Sequence, residues 1–129
     1  MKELTDLNIL LAEDDLINQK IASFTFSRMG VKIDIASNGK EAVEMYHRKG
    51  YDVILMDLQM PVMDGLEAAR QIRTVEKEKQ TNGHVYIIAL TANMIADKKD
   101  ECMQAGMDNM LEKPLQVNEL REIIAKSFQ

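Results

Sequence analysis

The chain has 129 residues, 46% of them hydrophobic and 29% charged, which is the size and composition of one soluble globular domain able to bury a core without staples. Its formal charge of −5 comes with no Lys/Arg cluster, which excludes the basic face of a nucleic-acid binder and any attraction to an anionic membrane surface. One cysteine, Cys102, excludes an internal disulfide and suits a reducing, cytoplasmic setting; the polar opening lacks signal-peptide character, and no apolar run nears the ~20 residues of a membrane span.

Strand and helix patterns alternate along the chain, with no repeat, low-complexity tract or linker, so residues 1–129 read as one domain with a folded core at about 8–128. Residues 8–12 (NILLA) form an apolar β-like run. Residues 15–29 carry Ile17, Ile21 and Phe24 at helical spacing, which predicts an apolar helix face, and Gly30 follows as a left-handed cap. Residues 32–36 (KIDIA) alternate as a half-exposed strand. Residues 38–49 are a second helix, with Ala42, Val43 and Tyr46 on one side and Gly50 after it. Residues 52–57 (DVILMD) are a continuous apolar run ending in an acid. Leu66, Ala69 and Ile72 mark a third helix whose polar tail, 76–82, is expected to fray. Residues 85–90 form another apolar strand, 95–105 a helix of poor periodicity, and 109–111 a short strand. Val117, Leu120 and Ile124 give the last helix its buried face. The ten methionines suggest an adaptable core or partner surface.

Five β–α units in succession argue a parallel sheet covered by helices on both faces. The first, third and fourth strands are continuously apolar and belong in the centre; the alternating second and the short fifth belong at the edges. The predicted fold is therefore flavodoxin-like, doubly wound α/β, with strand order 2-1-3-4-5. Its ligands bind beyond the carboxyl ends of the strands, at the switch point between strands 1 and 3.

The acids converge on that point. Strand 1 ends in Glu13, Asp14 and Asp15, and strand 3 in Asp57. Carboxylates so close repel one another, so a cation must sit among them, and oxygen ligands with few carboxylates suit Mg²⁺. Strand 4 delivers the Thr91 hydroxyl and strand 5 the Lys113 ammonium to the same rim. A metal, a carboxylate nucleophile, a hydroxyl and a lysine form a phosphoryl-transfer set.

The segments ILLAEDD, VILMDLQMPVMDG, ALTAN and EKP, in this order and each at a strand end, resemble two-component response-regulator receiver domains over nearly the whole chain. The resemblance implies that Asp57 accepts phosphate from a phosphohistidine. It also implies that Glu13, Asp14, Asp57 and the backbone carbonyl of Gln59 hold Mg²⁺, or Mn²⁺ in its place. Thr91 and Lys113 then contact the phosphoryl group, and the Lys113–Pro114 bond is cis. It further implies a switch through Thr91 and position 110, where many receivers carry an aromatic ring and this chain has Met110. Gln59 and Asn93 occupy the positions that set phosphate lifetime in the family. The partners implied are a histidine kinase or a histidine phosphotransfer domain, with no nucleic acid and no direct membrane contact. The wording of NILLAEDDLINQKIA and ALTANMIADKKDECMQAGMDNMLEKP is most similar to receivers of hybrid sensor histidine kinases, so the chain is expected to be such a segment, cytosolic in a membrane-anchored kinase; the alternative is a free-standing regulator. Such a domain is not a stand-alone turnover enzyme.

Plainer roles fit other residues. Asp15 suits an N-cap, Asp64 with Glu67 a capping box, and Gly65 a turn. His47 and His84 read as structural or exposed, and Cys102 as a small apolar residue. A flavin module on this fold needs a phosphate cradle where Glu13 to Asp15 stand. A phosphatase using an aspartate nucleophile carries it after strand 1, in a D-x-D pattern.

Overall fold

The computed structural model describes residues 3–79, 83–94 and 96–128. Five parallel strands, β1 (Ile9–Ala12), β2 (Ile33–Ala36), β3 (Val53–Asp57), β4 (Tyr86–Thr91) and β5 (Asn109–Glu112), form one sheet in the order β2-β1-β3-β4-β5. The helices between and after them are α1 (Leu16–Arg28), α2 (Gly39–Lys49), α3 (Gly65–Lys79), α4 (Ala96–Gln104) and α5 (Val117–Ser127). This is the predicted flavodoxin-like architecture.

Alternation along each central strand divides the core in two. Leu10, Ile54, Met56, Ile87 and Ala89 face α2, α3 and α4, meeting Ala42, Ala69, Ile72 and Cys102. Ile9, Leu11, Val53, Leu55, Ile88 and Leu90 face the other way, onto Phe26 of α1 and Leu120 and Ile124 of α5. Both faces of β1, β3 and β4 are covered, which is why the stretches Ile9–Ala12, Val53–Met56 and Ile87–Leu90 are apolar at every position, up to the rim residues Asp57 and Thr91. Gly30 and Gly106 end α1 and α4 at φ +74° and +97°, where the Val31 and Met107 amides donate back to the Phe26 and Cys102 carbonyls.

Four expectations need correction. The stripe Ile17, Ile21, Phe24 does not enter the core: with Leu16 it faces solvent, at 69%, 58%, 65% and 69% exposure respectively. Helix α1 is apolar on two sides, and the crossover from β1 to β2 turns Ala22, Phe26 and Met29 inward instead. The tail of α3 does not fray at Glu76, which is buried and bonded to Arg73 and to the Val85 amide; residues 80–82 lie outside the described residues. Only half of the capping box exists: Asp64 accepts from the Glu67 amide, while Glu67 turns its carboxylate to Arg70 and Gln71. The polar opening contains a 3-10 turn (Leu4–Asp6) whose Leu4, with Leu7 after it, closes the base of the α1–α5 layer.

Candidate functional site

Each strand of the central group ends where a chemically active residue begins. Ala12 pairs in register with Met56, so the next residues, Glu13 and Asp57, stand side by side across the switch point. Asp57 pairs in turn with Leu90, one residue before Thr91. The strands carry these side chains to the rim on a buried scaffold: Glu13 is 4%, Asp57 5% and Thr91 6% exposed.

Oxygens of Glu13, Asp14 and Asp57 lie within 4.8 Å of one another. The one ammonium among them is Lys113, whose Nζ lies 2.6 Å from Asp57 Oδ2 and 3.5 Å from Glu13 Oε1. The Lys113–Pro114 peptide is cis. The second oxygen of Asp57 accepts from the Gln59 amide at 3.2 Å, and the second oxygen of Glu13 from the Asp15 amide at 3.1 Å. Asp14 has no hydrogen-bond partner among the described residues. Asp15 caps α1, accepting from the amides of Ile17 and Asn18. The Thr91 hydroxyl is held by the backbone of Asn93, 3.2 Å away in both directions, and does not touch Asp57. Met110 is buried in the α2–α4 layer, below the rim.

The electrostatics follow from burial. Loss of water raises the Glu13 carboxyl above its ordinary range; the Asp15 amide and Lys113 oppose that, and neighbouring Asp57 adds to it. For Lys113, burial works to lower the ammonium, but its hydrogen bond to Asp57 and the charges of Asp57 and Glu13 prevail and hold it above its ordinary value. Three carboxylates thus face one cation, and a divalent metal with hard-oxygen preference fits the surplus.

Two features of the site were not anticipated. Gly65 does more than turn the chain: a Cβ there would overlap the Asp57 carbonyl oxygen and crowd Leu58, so glycine lets α3 start directly against the end of β3. Lys98 of α4 lines the same cleft as Asp57, with Gln59, Asn93 and Lys113. Its position between the ALTAN and EKP segments belongs to neither motif and carries no sequence signal. His47 is exposed, and Cys102 is buried, its thiol pushed up by burial.

Residues 9–125 match the model of the response regulator receiver domain. The chain belongs to that family. It is a receiver domain of two-component phosphorelay signalling. It is 36% identical over 126 residues to hybrid signal transduction histidine kinase K of Dictyostelium discoideum, which covers 95% of this chain but only 10% of the kinase. The receiver domain of a Saccharomyces cerevisiae response regulator, co-crystallised with its histidine phosphotransfer signalling protein, superposes with a TM-score of 0.86 at 35% identity, covering 93% of this chain and 87% of that one. The receiver domain of a Pseudomonas aeruginosa sensor histidine kinase, solved with a magnesium ion in its active-site cleft, gives a TM-score of 0.79 at 38% identity, covering 93% and 95%. No helix among the described residues of this receiver is long and apolar enough to cross a membrane.

Proposed function

We propose that Asp57 is the phosphoacceptor, taking a phosphoryl group from a phosphohistidine. A carboxylate oxygen of Asp57 attacks phosphorus, the P–N bond breaks, and the imidazole nitrogen keeps the electron pair and takes a proton. Glu13, Asp14, Asp57 and the Gln59 carbonyl would hold Mg²⁺, which neutralises charge on the phosphoryl oxygens when bound. Lys113 stays protonated throughout and moves from the carboxylate to a phosphoryl oxygen. The Thr91 hydroxyl leaves the Asn93 backbone to donate to another. That displacement carries the signal to the α4–β5–α5 face, where buried Met110 repacks in place of an aromatic ring. The chain supports one phosphorylation and one hydrolysis per cycle rather than sustained turnover of a substrate.

One observation carries the reading: Lys113 at 2.6 Å from an Asp57 carboxylate that shares its space with two more acids. A cation held against a buried carboxylate already crowded by negative charge is poised to exchange one anion for a larger one. The outward stripe Leu16, Ile17, Ile21 and Phe24 supports the partner assignment. It starts beside the cleft and is suited to receive the apolar face of a helix that presents a phosphohistidine. The hybrid kinase relative supports reading the chain as a receiver segment of a larger kinase; we extend the proposal to a membrane-anchored kinase with this domain on the cytosolic side and to Mn²⁺ in place of Mg²⁺.

Incubation with Mg²⁺ and acetyl phosphate tests the reading by intact mass. One added phosphoryl group is expected, absent without metal. No adduct, or several, contradicts it.

A further inference from the structure

Lys98 lies in the first turn of α4 and is only half exposed. It lines two adjoining clefts. One, of about 470 Å³, contains Asp57, Thr91 and Lys113; the other, of about 600 Å³, contains Asp14, Gln59 and Asp64. Lys98 and Lys113 are the two cationic side chains on the walls of these clefts among the described residues. Lys113 is committed to Asp57 and Glu13, whereas Lys98 forms no ion pair within 4.0 Å of a described carboxylate.

Charge decides what Lys98 is for. Glu13, Asp14 and Asp57 against Lys113 leave two negative charges, which one divalent cation cancels. Phosphorylation replaces the single charge of the Asp57 carboxylate with nearly two on the phosphoryl group. The loaded site is then about one negative charge over, and Lys98 is the remaining cation on its walls. With the cation bound and Asp57 unphosphorylated, the site has no surplus negative charge, and the ammonium faces a divalent cation that repels it. The rim residue therefore prefers the phosphorylated, metal-bound state over the metal-bound state alone.

We propose that Lys98 is a second phosphoryl-binding cation, carried by α4 rather than by the strand ends, which pairs with the phosphoryl oxygen facing the mouth of the cleft. This rests on the reading of Asp57 as phosphoacceptor. Its consequence is a direct electrostatic tether between the phosphoryl group and α4, additional to the hydroxyl of Thr91.

Beryllofluoride with Mg²⁺, followed by ¹⁹F NMR, tests it in the full chain for wild type, Lys98→Arg, Lys98→Gln and Lys98→Glu. Far-UV circular dichroism confirms that each variant is folded. Lys98→Gln is expected to weaken beryllofluoride binding about three- to tenfold and Lys98→Glu more, while Lys98→Arg stays within about twofold of wild type. The losses shrink as salt rises from about 0.05 M to about 0.5 M. Affinity for Mg²⁺ alone should move the other way, tightening in Lys98→Glu. Binding by Lys98→Gln and Lys98→Glu equal to wild type overturns the proposal, as does a parallel loss of Mg²⁺ and beryllofluoride. Failure of wild type and all variants to take up beryllofluoride overturns the phosphoacceptor reading, and the role of Lys98 with it.

Discussion

Two ionic clusters sit at opposite ends of the sheet. At the amino ends of β4 and β5, Arg73 of α3 donates to Glu76, Asp108 and the carbonyls of Val85 and Gly106, and the Nη2 that donates to Asp108 also lies against His84. The carboxylates are answered in turn: Glu76 also accepts from the Val85 amide, and Asp108 from the Ile87 amide and the His84 ring. At the carboxyl ends, Lys113 answers Asp57 and Glu13, and the third acid, Asp14, has no partner among the described residues. Both clusters set buried acids against cations, but the balance differs: a five-donor guanidinium and an imidazole face two acids at one end, a lone ammonium faces three at the other. A cluster whose oxygens are all engaged has no room for a ligand and fastens α3 and the end of α4 to the sheet. A cluster left short of cations is one built to receive them.

Removing the cation from each end probes this contrast with the largest effects. Arg73→Met is expected to cost about 3 kcal/mol or more in urea unfolding, because it strands two largely buried carboxylates. It should leave acetyl phosphate labelling of the surviving folded fraction intact. Lys113→Met strands carboxylates at least as buried, but ones that a metal can answer, so with Mg²⁺ present it is expected to cost about 1 kcal/mol or less, yet to slow labelling at least tenfold. Equal stability losses at the two ends would break the comparison.

Glu13→Gln sharpens it further. Mg²⁺ affinity, measured by calorimetry, should fall about tenfold, while the metal-free protein becomes slightly more stable at neutral pH. The sign follows from the raised carboxyl of Glu13: a group that holds its proton more tightly when folded penalises the fold once ionised. That penalty is fully present above the raised folded value and disappears as pH falls through it toward the ordinary carboxylate range. The advantage of Glu13→Gln over wild type should shrink in step.

The smallest effect concerns the loop between β3 and α3, where Val62 adopts φ +70° with its side chain 77% exposed. A β-branched residue in the left-handed region is strained, and little packing is lost on replacing it. Val62→Asn is expected to raise stability by about 1 kcal/mol in thermal unfolding.

The strand order and the placement of the acids were legible because β1, β3 and β4 are buried on both faces, and a parallel sheet has few ways to arrange such strands. What stayed hidden depends on tertiary partners. Helix α1 is apolar on two sides, and periodicity cannot say which side the β1–β2 crossover turns inward. Glu76 is polar in the sequence but buried because Arg73 and the Val85 amide, from another element, satisfy it. Gly65 looks like a turn residue until the Asp57 carbonyl is seen beneath it. Lys98 carries no motif at all; only the fold brings α4 over the cleft.

In the proposed function, the cation-poor rim serves to place a phosphoryl group on Asp57. Borohydride reduction of the protein after reaction with Mg²⁺ and a phosphohistidine donor, followed by peptide mapping, reads the modified position directly, since an aspartyl phosphate is reduced to homoserine. Homoserine at position 57 and nowhere else is the expected result, lost in Asp57→Asn. Reduction at Asp14 or Glu13, or phosphorylation that persists in Asp57→Asn, would contradict the account.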